Sequence, residues 1–318
     1  MDILFVTATR IGDAVLSTGL LAHLIERHPG ARLTVAAGPI AAPLFAAAPG
    51  LERIITVRKR PLSAHWLALW GAVASRRWDI IVDMSGSALA WLLSARHRHV
   101  MGKGDGREHR VRQLARLFAL DPPPNPCLWL SPAHERAAEA LVPPGPPVLA
   151  IGPAANWRGK QWRAERFAAL AQRLTGPDGP LPGARVAVFA AAHERTQAEP
   201  LLAAIPPRRV IDLIGIDLLV AAAALRRSAM FIGNDTGLMH IAAASGTPTL
   251  GLFGPSPVDQ YAPWGEGTAT VRTEAAWQAQ FAEDFDHRTT DTLMDTLSVE
   301  AAEAAAKSLW SRVASKAA

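Results

Sequence analysis

The chain has 318 residues, 49 % of them hydrophobic, with 33 Lys and Arg against 28 Asp and Glu and a single cysteine. Length and apolar content suit two globular domains and exclude a disordered or fibrous chain. Cys127 has no second cysteine to pair with, so an intramolecular disulfide is excluded and the cytosol is the expected compartment.

The opening residues place Asp2 where a secretion signal has bases, and Arg10 breaks the apolar run, so Ile3–Ala8 reads as a strand. Ala14–Arg27 follows with helical spacing of Val15, Leu16, Leu20 and Leu24. Further strands are expected at Leu33–Ala37, Arg53–Val57, Ile80–Asp83 and His99–Gly102. Residues 142–147, Val-Pro-Pro-Gly-Pro-Pro, cannot continue a helix and mark a linker, giving expected domains of 1–145 and 146–318. The rhythm then restarts with strands at Val148–Ile151, Val186–Ala190, Val210–Leu213, Met230–Ile232 and Thr249–Phe253. A last helix runs from about Ser298, its N-cap, to about Val313. Strands alternating with helices imply two Rossmann-like α/β domains, with parallel sheets and ligands bound beyond the carboxyl ends of the strands. No segment is long and apolar enough to span a membrane.

Charge is uneven. Residues 1–145 hold 17 Lys/Arg against 11 Asp/Glu, and residues 146–318 hold 16 against 17. Arg58-Lys59-Arg60, Arg76-Arg77 and the stretch from Arg96 to Arg116 form the basic excess, which suits an anionic partner or an ordinary solvated surface. Few aromatics (6 %) and no nucleic-acid-binding motif argue against nucleic acid.

Four turns after strands carry the chemistry. In Gly233-Asn234-Asp235-Thr236-Gly237-Leu238-Met239-His240 a strand meets a helix N-terminus, whose free N–H groups favour phosphate. Asp235 there either accepts from sugar hydroxyls or, like Thr236, caps the helix. Gly12-Asp13 occupies the equivalent turn of the first domain, where Asp13 is either a base for a hydroxyl or a cap. Lys160, before Trp162, either neutralises a diphosphate or is an exposed loop lysine, with Arg158 a weaker candidate. Gly251–Pro257 reads as a pocket wall or a plain turn. There is no GxGxxG after the first strand, no GxxxxGK[ST] and no GxSxG, which removes support for dehydrogenase, P-loop and α/β-hydrolase readings. Asp284-Phe285-Asp286 matches a metal-binding DxD only by chance-level spacing, and no metal-ligand cluster is expected.

Together these segments resemble the ADP-heptose:lipopolysaccharide heptosyltransferase family, glycosyltransferase family 9. The resemblance rests on Ile3–Asp13, on Trp78–Ser87, on Lys160-Gln161-Trp162, and most specifically on Gly233–His240 with Ala242–Pro248 and Leu252-Phe253-Gly254-Pro255. It implies the GT-B fold, with parallel sheets facing across a cleft, and inversion at the anomeric carbon without an essential metal or other cofactor. It implies Asp13 as catalytic base, Lys160 on donor phosphate and Asp235 on the sugar. Thr236, Gly237 and Leu238 match the diphosphate turn, with His240 beside it. The implied donor is ADP-heptose and the implied acceptor an anionic lipopolysaccharide core, for which Arg58, Lys59 and Arg60 are the basic candidates. The enzyme would be cytoplasmic, with peripheral contact at the inner membrane. Alternatives are another nucleotide sugar, a protein acceptor, or a sugar-nucleotide-binding protein without turnover. The sequence departs from the family pattern at Gly19 and Arg163, where proline is common, and at Asn156-Trp157-Arg158-Gly159 before the lysine.

Overall fold

A computed structural model describes residues 1–102, 106–276, 278, 281, 286 and 289–317. By contacts the chain divides into two compact units, Met1–Ser131 and Pro132–Ala318.

The first unit runs β1 (Asp2–Val6), α1 (Ile11–Arg27), β2 (Arg32–Ala37), β3 (Leu51–Thr56), α2 (Ala64–Val73), β4 (Trp78–Asp83), β5 (Ala95–Val100) and α3 (Arg110–Ala115). Its five parallel strands lie in the order β3-β2-β1-β4-β5. The β1 and β2 side chains are almost all buried, as expected of a sheet covered on both faces. Helix α1 is buried at every residue from Ala14 to Leu21 and again at Leu24, so its middle turns are enclosed all round, and Gly19 lies where another segment crosses. A Cβ at Gly19 would stand 2.5 Å from the carbonyl oxygen of Pro124, so a proline ring has no space there.

The second unit runs α4 (Pro132–Leu141), β6 (Val148–Gly152), α5 (Ala164–Thr175), β7 (Arg185–Val188), α6 (Arg195–Ala204), β8 (Val210–Asp212), α7 (Leu218–Arg226), β9 (Met230–Asn234), α8 (Gly237–Ala244), β10 (Thr249–Phe253), α9 (Val258–Tyr261), β11 (Thr268–Arg272) and α10 (Val299–Ala317). Its six parallel strands follow the order β11-β10-β9-β6-β7-β8. This is the doubly wound dinucleotide-fold order, with its reversal point between β6 and β9. Register places Leu149, Ile151, Val186, Val188, Met230, Ile232, Leu250 and Leu252 on one face. They form a core there with Phe167, Leu170 and Leu174 of α5 and with Leu309 of α10. The opposite face carries Phe231, whose ring lies over the adjoining Gly152 and Gly233.

Two features differ from expectation. The division falls after Ser131, ahead of the Pro-rich residues 143–147, because α4 packs on α7. Glu135 pairs with Arg226, and Arg227 donates to the carbonyl of Val142. The sixth strand β11 was not expected. It is a half-buried edge strand, Thr-Ala-Thr-Val-Arg, without the apolar run that marks the others. Ser298 accepts from the N–H of Ala301 and so caps the last helix as expected.

Candidate functional site

Asp13, Lys160 and Asp235 follow the carboxyl ends of β1, β6 and β9, strands that flank the reversal point of their sheets, whereas Arg58–Arg60 follow the edge strand β3 and Gly251–Pro257 the end of β10. In the second unit β6 leads into the Gly152–Trp162 loop and β9 into Asp235 and Thr236. Adjacent parallel strands therefore deliver Lys160 and Asp235 to one place, and Lys160 Nζ donates to Asp235 Oδ2 at 2.6 Å. Asp235 is 8 % exposed and Lys160 26 %. A partly dry ion pair of this kind holds its lysine in place, while the flexible stem lets the ammonium move to an incoming anion.

Asp235 is not the helix cap. Thr236 occupies the N-cap of α8 with extended φ/ψ, and its side chain makes no capping hydrogen bond. The first-turn N–H groups of Gly237 and Leu238, at the positive end of the helix, thus have no side-chain cap. His240 is buried in the same helix. A diphosphate over this turn would meet helix N–H groups and a lysine.

Sequence reasoning placed Asn234 in the turn but missed its function. Its side chain is fully buried, donates to the carbonyl of Pro153 at 2.8 Å, and accepts from the N–H of Trp162 at 3.1 Å. It therefore spans the Lys160 loop at both ends. A second latch comes from residues 291–297. Asp291 accepts from Arg158 at 2.8 Å and Asp295 from Arg163 at 2.6 Å. The N–H of Leu293 donates to the carbonyl of Gly159, and Trp162 Nε1 to the carbonyl of Leu297. These partners account for the unusual loop. Arg163 is met by two carboxylates, Asp291 and Asp295, and Arg158 shares Asp291 with it. The N–H of Thr292, then Arg158, hold the Asp291 carboxyl down at about 2. Hydrogen bonding from Arg163 likewise lowers Asp295. Asp284 and Phe285 of the DxD triplet lie outside the described residues. Among the described residues no group of three or more His, Cys, Asp or Glu could hold a metal.

The loop after β10 contributes Ser256, 2 % exposed, whose Oγ has no hydrogen-bond partner among the described residues. The sequence flagged this loop but not this atom.

In the first unit Asp13 is half-buried in the first turn of α1, two residues inside the helix start. The N-cap is Arg10, so the capping alternative for Asp13 does not apply. Neighbouring β4 ends at Asp83, which is fully buried and accepts from the N–H of Ser85 at 2.8 Å, from Ser85 Oγ, and from Ser87 Oγ at 2.7 Å. That carboxylate shapes its turn. Arg58, Lys59 and Arg60 are largely exposed in the loop after β3, with Arg58 to Arg60 preceding α2. Asp13 and these bases belong to the first unit, and Lys160, Asp235 and Thr236–His240 to the second.

Two parallel-sheet α/β units, one bearing a lysine–aspartate pair at an uncapped helix N-terminus, are the framework of a GT-B glycosyltransferase. The chain can be superposed on the glycosyl transferase family 9 structure from Veillonella parvula with TM-score 0.78 and 17 % identity, covering 97 % of each chain. The Escherichia coli ADP-heptose lps heptosyltransferase II structure gives TM-score 0.74 and 19 % identity, covering 98 % of this chain and 99 % of that one. Among curated proteins, lipooligosaccharide heptosyltransferase 2 of Haemophilus influenzae is 25 % identical over 313 residues, covering 85 % of this chain and 88 % of the relative. Lipopolysaccharide heptosyltransferase 1 of Pseudomonas aeruginosa is 26 % identical over 295 residues, covering 80 % and 79 %. The sequence profile of glycosyltransferase family 9 (heptosyltransferase) matches residues 114–287, over half of the chain. The chain belongs to glycosyltransferase family 9, and it is an enzyme of the heptosyltransferase kind.

Proposed function

We propose that the protein transfers heptose from ADP-heptose to a sugar of a lipopolysaccharide core, with inversion at the anomeric carbon. The observation that carries this reading is the Lys160–Asp235 pair beside the α8 N-terminus. The donor diphosphate rests on the N–H groups of Gly237 and Leu238, with Thr236 and His240 beside it. Lys160 moves from Asp235 to the phosphate as the glycosidic bond breaks and charge gathers on the departing ADP. Asp235 then accepts from hydroxyls of the heptose. Asp13 takes the proton of the acceptor hydroxyl as its oxygen bonds to the anomeric carbon. Arg58, Lys59 and Arg60 supply positive charge for a phosphorylated acceptor. The names of the curated relatives support heptose as the sugar transferred and lipopolysaccharide as the acceptor class. The working location is the cytoplasmic face of the inner membrane.

The test is ADP release from ADP-heptose, with and without deacylated lipopolysaccharide core, for wild type and Asp13→Ala. The expected result is acceptor-dependent release that falls by about 10²-fold or more in the variant while donor binding persists. Donor binding without release points to another acceptor. Absence of donor binding overturns the ADP-heptose assignment.

A further inference from the structure

Helix α2, Ala-His-Trp-Leu-Ala-Leu-Trp-Gly-Ala-Val, has one polar side chain yet buries only Leu69 and Val73. A helix apolar all round is normally enclosed. Here Leu62, in the turn before the helix, and Leu67 on it are more than two-thirds exposed, as are Trp91 and Leu92 in the turn after β4, and Trp70 is also exposed. These are five of the nine large apolar side chains exposed among the described residues. The two segments adjoin: Trp70 Nε1 donates to the carbonyl of Leu92, and Leu69 and Val73 of α2 share a buried cluster with Leu89 and Leu93 of that turn. The turn itself is braced by Arg98, which donates to the carbonyls of Ala90, Leu93 and Ala95. Leu62 and Ser63 both hold left-handed φ, at 51° and 57°, and Leu62 is wholly exposed in that strained turn.

Charge selects the occupant. No Asp or Glu occurs between Arg53 and Trp78, nor from Met84 to Gly102, while Arg58, Lys59 and Arg60 run into the apolar turn. Arg60 is tied to α2 through its N–H, 3.4 Å from His65 Nδ1. A second copy of the chain meeting this surface would set one basic cluster against another. An anionic bilayer instead offers hydrocarbon for the leucines, an interfacial layer for the tryptophans, and phosphates for the bases.

We infer that the α2 face, with Leu62, Leu67, Trp70, Trp91 and Leu92, is a docking surface for an anionic lipid bilayer. The helix lies against the headgroup boundary, and the Arg58–Arg60 cluster meets lipid phosphates. The Arg58–Arg60 cluster is the one assigned above to a phosphorylated acceptor, and the test below uses vesicles that hold neither donor nor lipopolysaccharide, so its failure is distinguishable from failure of the heptose reading.

The test is co-sedimentation of the full chain with vesicles of phosphatidylcholine alone or mixed with phosphatidylglycerol. Binding is expected only to the mixed vesicles, falling as salt is raised. The double variant Leu67→Ser, Trp91→Ser should bind at least about tenfold more weakly, with an unchanged melting temperature because both side chains are exposed. Wild type that stays in the supernatant overturns the inference, as does equal binding to neutral vesicles or by the variant. Concentration-dependent self-association abolished by the same variant, without vesicle binding, makes the face a protein interface and equally overturns it.

Discussion

Lys160 and Asp235 stand 75 residues apart in sequence and 2.6 Å apart in space, because β6 and β9 are parallel neighbours that end at the same level. The carboxylate is the more deeply buried member. That asymmetry makes the two halves of the pair unequal under mutation. Lys160→Ala strands a buried carboxylate and should cost about 1–3 kcal/mol, whereas Asp235→Asn leaves a lysine able to reach water and should cost less than about 1 kcal/mol. Urea denaturation of both variants and of the double variant would check the order. The same Lys160→Ala change should lower turnover by about 10²–10³-fold if the ammonium stabilises the leaving diphosphate. Similar stability losses from both single changes would show that the burial difference does not govern the pair.

Asn234 should matter to the loop as much as to the strand that carries it. Asn234→Ala removes both side-chain bonds and leaves the carbonyl of Pro153 and the N–H of Trp162 buried without that partner. A loss of about 2–4 kcal/mol follows from two such groups. Amide exchange should rise across residues 153–162, and donor affinity should fall with it. Asn234→Asp keeps an acceptor for Trp162 but cannot donate to Pro153, so it should not rescue.

The latch from residues 291–297 should be acid-sensitive. The Asp291 carboxyl is held at about 2 against an ordinary 3.8, first by the N–H of Thr292 and then by Arg158. A depressed folded-state pKa contributes stability that is fully present above the unfolded value and is lost as pH falls through the folded one. The contribution of Asp291 should therefore disappear between about pH 4 and about pH 2. Asp291→Asn should melt lower than wild type at neutral pH and converge with it toward the bottom of that window. Melting curves that stay parallel across the window would remove Asp291 from the acid response.

The fold was legible where strands are apolar runs, as in Thr249–Phe253, and illegible at β11, where threonines alternate with Ala and Val on a sheet edge. The turns that carry Asp13, Lys160 and Asp235 were legible because each follows such a run. The Lys160–Asp235 contact was not, since strand order, which no local pattern encodes, decides which turns adjoin. Surface charges have no period, so the partners of Arg158 and Arg163 among residues 291–295 gave no signal either. At Gly19 the departure from proline was visible in sequence, but its reason was not: a carbonyl crosses at 2.5 Å from where a Cβ would stand. The clamp at Asn234 was hidden because Asn in a turn is common for purely local reasons.

Two glycines at the ends of β6 and β9 give the last prediction. A Cβ on Gly233 would lie 2.6 Å from Cζ of Phe231 and 3.0 Å from the carbonyl oxygen of Gly152. A Cβ on Gly152 would lie 2.9 Å from the same Phe231 atom and 3.0 Å from a methyl of Leu238. Both glycines therefore make room for one fully buried ring, and Leu238 lies in the first turn of the helix that faces the proposed diphosphate. Gly233→Ala should cost about 1–3 kcal/mol by overpacking and should displace Phe231. Shortening the ring should relieve part of that strain, so Phe231→Leu should be less harmful in the Gly233→Ala background than in wild type. A double-mutant cycle of denaturation free energies measures this coupling directly. The Gly152 carbonyl is backbone and cannot yield in the same way, so rescue should be incomplete. Additive losses from the two changes would mean that Phe231 is not what the glycine accommodates.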